Sequence, residues 1–148
     1  MKKIIDYRKL LGVTKDAELK ELKSIYRNLM KDSHPDKFFD NEELKQQAED
    51  RSKLIIEAYH FLVSIAPETI AQSLEEYTQT TTFSPIADFQ FERQTLKITF
   101  ADGNVYEYFD VPRNTYIKLV NADSQARFAR RHIYNSFVYR SLNKLVAA

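Results

Sequence analysis

Two helix-forming segments that flank a proline-containing tripeptide constrain the fold of this 148-residue chain more than any other feature. The first runs from Glu18 to Lys31 and the second from about Asn41 to Val63, and both repeat apolar residues at three- and four-residue spacing. Between them stands His34-Pro35-Asp36. Because proline disfavours helical geometry at the preceding residue, the first helix must end at or before Ser33. The sequence therefore predicts two packed helices joined by a stiff, exposed polar turn.

The first of these helices separates apolar from basic residues. At about 100° per residue, one side holds Leu19, Leu22, Ile25, Tyr26 and Leu29. The other side holds Lys20, Lys23, Arg27 and Lys31. The second helix offers a matching apolar stripe of Leu44, Ala48, Ile55, Ala58, Tyr59 and Leu62. We expect the stripes to pack together and the basic row to face solvent, although a row of charges is usually no more than a solvated surface.

Four short motifs follow one another in this part of the chain. They are Asp6-Tyr-Arg-Lys-Leu-Leu-Gly12-Val, Leu22-Lys-Ser-Ile-Tyr-Arg-Asn-Leu-Met30, His34-Pro-Asp-Lys37 and Glu57-Ala-Tyr-His-Phe-Leu62. In this order they resemble a J-domain, the DnaJ-type module, over about residues 5–75. The resemblance implies an antiparallel helical hairpin that docks on a DnaK-type chaperone and stimulates its ATP hydrolysis. It assigns the chaperone contact to His34, Pro35, Asp36, Lys20, Lys23, Arg27 and Lys31.

The second part of the chain begins with three predicted strands, at about residues 86–91, 96–100 and 105–109, each rich in aromatic and branched residues. A hairpin loop containing Gly103 joins the last two. A two-residue turn would pair Ile98 with Glu107. A three-residue loop with Gly103 in a bulge instead pairs Lys97 with Glu107. We favour the second register because it brings opposite charges together. The buried face is then Leu96, Ile98, Phe100, Tyr106 and Tyr108.

Two helices are expected after these strands, one from Arg113 to Asn121 and one that Asp123 or Ser124 caps and that runs to about Tyr134. Three antiparallel strands followed by helices form a small α+β domain. The pattern Leu96-x-Ile-x-Phe, Tyr106-Glu-Tyr-Phe-Asp-Val-Pro112 and Arg131-His-Ile resembles the KTSC domain over about residues 84–142. That resemblance implies an RNA-binding role as a hypothesis.

We divide the chain into a J-domain at residues 1–77, a linker at 78–85 and a KTSC-like domain at 86–148. Residues 84–148 hold nine Lys and Arg against six Asp and Glu, whereas residues 1–83 hold thirteen against fifteen. The candidate RNA-binding residues are Arg127, Arg130, Arg131 and Arg140. Aromatic rings beside arginines can stack bases and neutralise phosphates. The alternative is that Tyr106 and Tyr108 are core residues and the arginines only solubilise the domain.

Several functional classes find no support in the composition. With no cysteine, the chain has neither disulfides nor thiol chemistry. With only Gly12 and Gly103, it has no glycine-rich phosphate loop. The three histidines form no catalytic or metal-binding constellation with neighbouring acids. We therefore expect a protein without enzyme activity, cofactor or metal. No apolar run approaches a membrane span and no signal peptide is evident, so we expect a cytoplasmic protein without membrane contact.

The sequence thus predicts a two-domain co-chaperone whose second domain selects the target. A second hypothesis is an RNA- or translation-associated binding protein in which the J-like part serves only as a structural or protein-contact module. In a third, the C-terminal domain mediates self-association or contact with a client protein.

Overall fold

The computed structural model describes residues 2–33 and 40–142. In these residues four helices are followed by a four-stranded sheet with two further helices. The chain divides into a first unit, Met1–Thr69, and a second unit, Ile70–Ala148. The helices are α1 Lys2–Leu11, α2 Leu19–Ser33, α3 Glu42–Ile65, α4 Pro67–Phe83, α5 Arg113–Val120 and α6 Gln125–His132. The strands are β1 Ile86–Glu92, β2 Thr95–Phe100, β3 Val105–Tyr108 and β4 Tyr139–Ser141.

The core of the first unit lies among α1, α2 and α3. Both α1 and α2 pack against α3. The buried side chains include Ile4, Leu11, Leu22, Ile55, Ala58, Phe61 and Leu62. Tyr26 of α2 stacks on Tyr59 of α3 with ring centroids 4.1 Å apart, which confirms that the two apolar stripes meet. Helix α1 ends at Leu11, and the next residue, Gly12, has a φ of +71°, in the left-handed region that closes a helix.

The prediction that Leu44 belongs to the buried stripe of α3 is wrong, because Leu44 is 43% exposed. The Ser52 hydroxyl donates to the carbonyl of Ser33, the last residue of α2, and so marks where α2 ends alongside α3. Leu44 lies eight residues before Ser52, or about 12 Å along the helix axis at 1.5 Å per residue. The first turn of α3 therefore extends past the end of α2.

The sheet has the strand order β1-β2-β3-β4 and is antiparallel throughout. Lys97 pairs with Glu107 and Ile98 with Tyr106, which confirms the three-residue loop. Gly103 has φ +94° and donates its N–H to the Phe100 carbonyl at 3.0 Å. The predicted buried face is also confirmed, since all five of its side chains are buried.

The sheet contains one strand more than the three predicted. Strand β4 is only three residues long and pairs with β3, with Tyr139 opposite Tyr108 and Arg140 opposite Glu107. Three residues are too few to show an alternating pattern, so no sequence signal marked this strand. Of the two candidate caps for α6, Ser124 is the one used, because its hydroxyl accepts from the Arg127 N–H at 3.3 Å.

Helix α4 corrects the prediction of a linker at 78–85, because the helix continues to Phe83. The boundary between the units falls after its first turn, between Thr69 and Ile70. Farther along, Tyr77 and Thr80 are buried in the second unit, where Tyr77 joins the sheet core. Residues 70–83 are therefore part of the second fold, and a fragment that began at residue 84 would lack them.

In residues 2–33 and 40–142 no single helix is long and apolar enough to cross a membrane, and only α3 and α4 taken together as a bent pair meet that requirement.

Candidate functional site

The basic residues of α2 form an exposed row on the first unit. Lys20, Lys23, Arg27 and Lys31 are all exposed. They face solvent because the opposite side of the helix is held against α3 by buried Leu22 and by the stacked ring of Tyr26. We call this row the basic face of α2. It presents four positive charges on one side of a single helix, a surface that attracts an acidic partner.

The first turn of α2 is capped by a side chain from another helix. The Leu19 N–H donates to the Glu68 carboxylate at 2.6 Å. This bond satisfies one of the backbone donors that a helix leaves unpaired at its beginning, and it places negative charge at the positive end of the helix dipole. Sequence reasoning missed Glu68 because the capping residue lies 49 positions away along the chain.

His34, Pro35 and Asp36 lie outside the described residues, but the described residues on either side, Ser33 and Asn41, each make a hydrogen bond to a helix. On one side, the buried Ser52 hydroxyl donates to the Ser33 carbonyl at 3.1 Å. On the other side, the Asn41 side chain accepts from the Leu44 N–H at 3.1 Å and caps α3. Ser52 was not predicted, although a small polar residue on the core side of a helix is a recognisable sign of such an anchor.

The second unit has its own exposed basic surface on α6. Arg127, Arg130 and Arg131 are exposed, as a candidate nucleic-acid surface requires. Arg140 does not join them. It lies on β4, where its Nε donates to Glu107 Oε1 at 2.7 Å and its guanidinium lies 5.7 Å from the ring centroid of Phe109. The structure therefore brings together three of the four predicted arginines.

The tyrosines of the second unit are core residues. Tyr106 is 1% exposed and Tyr108 is fully buried, so neither ring offers a face to a nucleic-acid base. Tyr77 of α4 stacks on Tyr139 with ring centroids 3.9 Å apart, and its hydroxyl donates to the Tyr134 carbonyl at 2.7 Å. Since that hydroxyl has a single proton, Tyr108 is the donor in the 3.0 Å bond between the hydroxyls of Tyr77 and Tyr108.

Burial shifts the ionisation of this tyrosine cluster. Desolvation raises the pKa of Tyr106 to about 12 and that of Tyr134 to about 12. Burial also raises the pKa of Tyr77, Tyr108 and Tyr139. The Tyr139 hydroxyl is buried and has no hydrogen-bond partner among residues 2–33 and 40–142. The cluster is therefore neutral at ordinary pH and stabilises the fold through packing and internal hydrogen bonds.

A polar network joins α4 to the β2–β3 loop. The Thr80 hydroxyl donates to the Asp102 carboxylate at 2.7 Å and accepts from the Asn104 side-chain amide at 2.8 Å. Desolvation alone would raise the pKa of Asp102, but hydrogen bonds from Asn104 and Thr80 outweigh it and lower that pKa. Sequence reasoning missed Thr80, which stands in the stretch interpreted as a linker.

Comparison with protein families accounts for both parts of the chain. The DnaJ domain model matches residues 6–68 and the KTSC domain model matches residues 84–137. The chain carries a DnaJ domain followed by a KTSC domain. The basic face of α2 and the tripeptide lie within the DnaJ domain, and the tyrosine pair of β3 and all of α6 lie within the KTSC domain. Residues 69–83, which include Tyr77 and Thr80, are covered by neither model.

Relatives of the DnaJ domain include both bacterial and animal proteins. The chain is 46% identical over 59 residues to "Chaperone protein DnaJ" of Hydrogenobacter thermophilus. These residues make up 40% of this chain and 15% of that protein. It is 42% identical over 59 residues to "DnaJ homolog subfamily B member 6" of Gallus gallus. These residues make up 40% of this chain and 17% of that protein. The chain thus spans only about a sixth of the length of these curated relatives.

No candidate metal site is present in the part of the chain that the structure describes. Within residues 2–33 and 40–142, no group of three or more histidine, aspartate or glutamate side chains could hold a metal ion. The candidate sites that the structure does describe are two charged surfaces, the basic face of α2 in the DnaJ domain and the arginines of α6 in the KTSC domain.

Proposed function

We propose that this chain is a co-chaperone whose DnaJ domain docks on a DnaK-type chaperone and stimulates its ATP hydrolysis. The observation that carries the proposal is the exposed basic face of α2 within a segment that matches the DnaJ domain model. That face leads along α2 to Ser33, which directly precedes His34-Pro35-Asp36. In the proposal, the cations hold the partner and the tripeptide acts on its ATPase.

The physical basis of docking is charge attraction between this face and an acidic surface of the chaperone. Such attraction speeds encounter and fixes orientation, and salt screens it over about 8 Å at physiological ionic strength. Exposed lysines and arginines contribute little to folding stability. Charge reversal on this face should therefore change binding and leave the fold of the DnaJ domain intact.

A binding experiment with a matched control tests this proposal. The double variant Lys23→Glu and Arg27→Glu should weaken chaperone binding by about tenfold or more, since it removes two attractions and adds two repulsions. The control, Lys9→Glu and Lys53→Glu, makes the same change in net charge at exposed positions of α1 and α3. Salt-insensitive binding, or equal loss in both variants, would contradict docking through the basic face of α2.

The KTSC domain is proposed to be the targeting and binding module. The support is its exposed arginine cluster on α6, which the fold does not need for its core. A second candidate function follows from the same cluster: an RNA- or translation-associated binding protein in which the DnaJ domain is only a structural or protein-contact module. Chaperone ATPase stimulation separates the two, because only a co-chaperone produces it. Client contact or self-association would appear as binding that does not depend on the arginines.

A further inference from the structure

A shallow basic depression lies along α6 and the turn before it. It has a volume of about 200 Å³ and is lined by Ala122, Asp123, Ser124, Arg127, Phe128, Arg131 and His132. Arg127 and Arg131 are four residues apart on the helix, so their side chains project from the same face, with Cβ atoms roughly 5–6 Å apart. We call this depression the α6 pocket. Its lining combines two cations with two aromatic rings.

The arginines of the α6 pocket are available for a ligand. Both are exposed, and neither forms an ion pair within residues 2–33 and 40–142. Arg140 of the same domain shows the contrast, because its guanidinium is engaged by Glu107. Guanidinium groups bind phosphate oxygens through two parallel hydrogen bonds. The α6 pocket therefore has the charge and the donors to hold phosphate groups.

The two aromatic rings of the α6 pocket, those of Phe128 and His132, form a surface on which a base could stack. The rings of Phe128 and His132 lie with centroids 4.7 Å apart at an angle of 43°. Phe128 is half-buried and packs against the core of the domain, whereas His132 is exposed. The His132 ring is thus supported from one side and presents its remaining surface to solvent. A supported, exposed ring beside arginines is a stacking surface for an unpaired base.

We propose that the α6 pocket binds single-stranded nucleic acid, with Arg127 and Arg131 on phosphates and His132 stacked on a base. This inference rests on the proposed role of the KTSC domain as a binding module and names its ligand class. Single strands are favoured over duplexes because their bases are free to stack. The buried tyrosines of β3 take no part, so stacking is assigned to the helix and not to the sheet.

An acidic peptide is the competing ligand, and the lining of the pocket argues against it. Asp123 is the single acidic residue of that lining, and its carboxylate would repel the side chains of such a peptide and the phosphates of a nucleic acid alike, so the two ligands differ in their other groups. An unpaired base instead offers amino groups that a carboxylate accepts. An acidic peptide would also make no use of the exposed His132 ring, whereas a base would.

The first test measures binding of the full-length protein to fluorescent single-stranded RNA and DNA oligonucleotides at low salt. The double variant Arg127→Gln and Arg131→Gln should weaken binding about tenfold or more, and it should flatten the dependence of log affinity on log salt by about 1.4, the release expected for two phosphates. The matched control, Arg113→Gln and Lys118→Gln, removes two exposed cations from α5 and should bind as the wild type does. Equal loss in the two variants, or no binding by the wild type, would overturn the proposal.

The second test separates stacking from charge attraction. His132→Ala should weaken oligonucleotide binding about fivefold or more, as loss of one stacked base does, and should barely change binding of polyphosphate. Poly-glutamate bound as tightly as the oligonucleotides, with no effect of His132→Ala, would assign the pocket to an acidic protein instead. Both tests are made without a chaperone, so a negative result would not contradict the co-chaperone proposal. Likewise, a lack of ATPase stimulation would not contradict nucleic-acid binding by the α6 pocket.

Discussion

The two units differ in where their characteristic residues lie, because these are exposed in the first unit and buried in the second. In the DnaJ domain, the basic residues of α2 are exposed and the core consists of ordinary aliphatic and aromatic side chains. In the KTSC domain, the tyrosine pair that makes the sequence recognisable is buried in the sheet core. Family resemblance therefore marks different kinds of residue in the two units. In the first unit it covers exposed cations, which we propose contact the chaperone, and in the second it covers residues that hold the fold together.

Substitutions on the basic face of α2 and substitutions of the buried tyrosines should consequently affect different quantities, namely chaperone binding and folding stability. Replacing a cation on the basic face of α2 should alter binding with little change in stability, because exposed charges contribute little to folding. Replacing a tyrosine of the second unit should lower stability, because it leaves a cavity and unpaired hydrogen-bonding groups. The predictions below test this difference, beginning with the largest expected effect.

Tyr77→Ala should destabilise the second unit by about 3–5 kcal/mol, the range for truncation of a large buried aromatic side chain. Tyr77 is 3% exposed, stacks on Tyr139 and bonds to the Tyr134 carbonyl. Urea unfolding of the full chain, followed by near-ultraviolet circular dichroism of the tyrosines, measures the loss. Tyr77→Phe, which keeps the ring and removes only the hydroxyl, should cost about 1–3 kcal/mol. A fully stable Tyr77→Ala variant would show that α4 is not part of the second fold.

Alkaline pH should destabilise the second unit through the same cluster. The pKa values of Tyr106 and Tyr134 are raised to about 12 in the folded state, whereas an unfolded tyrosine ionises near pH 10. Above about pH 10 the unfolded chain therefore releases protons that the folded chain retains, and stability falls as pH rises from there towards 12. Urea midpoints at pH 8 and pH 11 measure the slope. Tyr134→Phe removes one of these groups and should reduce the decline, and an unchanged decline would contradict the assignment.

Ser52→Ala should have the smallest effect on stability, about 1 kcal/mol, because it removes one buried hydrogen bond and leaves the Ser33 carbonyl without that donor. The urea midpoint of the first unit measures it. Ser24→Ala, at an exposed position of α2, is the matched control and should be close to neutral. Because Ser33 directly precedes the tripeptide, Ser52→Ala should also lower chaperone stimulation. A variant that loses neither stability nor stimulation would show that this anchor is dispensable.

Local sequence signals predicted much of both units. The register of the β2–β3 hairpin followed from one glycine and one pair of opposite charges, Lys97 and Glu107, because turn geometry and cross-strand pairing are decided by near neighbours. The exposed side of α2 followed in the same way from helical periodicity. These features depend on residues a few positions apart, which a sequence displays directly.

Features that depend on distant partners were not predictable. The stretch Thr78-Gln-Thr-Thr-Thr-Phe83 is poor in helix formers, yet it is helical, and Thr80 within it bonds to Asp102 and Asn104 of a distant loop. Arg140 was grouped with the arginines of α6 because nothing local showed that β4 would place it opposite Glu107. Tertiary contacts decide both cases, and they outweigh the local preference of the residues concerned.

Steady-state ATPase of a DnaK-type chaperone tests the central claim most directly. The intact chain should raise that rate, and His34→Gln or Asp36→Asn should abolish the stimulation while the urea midpoints of both units stay at their wild-type values. That result would show that the tripeptide acts on the partner and does not hold the fold together. Unchanged stimulation by both variants at matched concentration, or no stimulation by the wild type, would contradict the co-chaperone account.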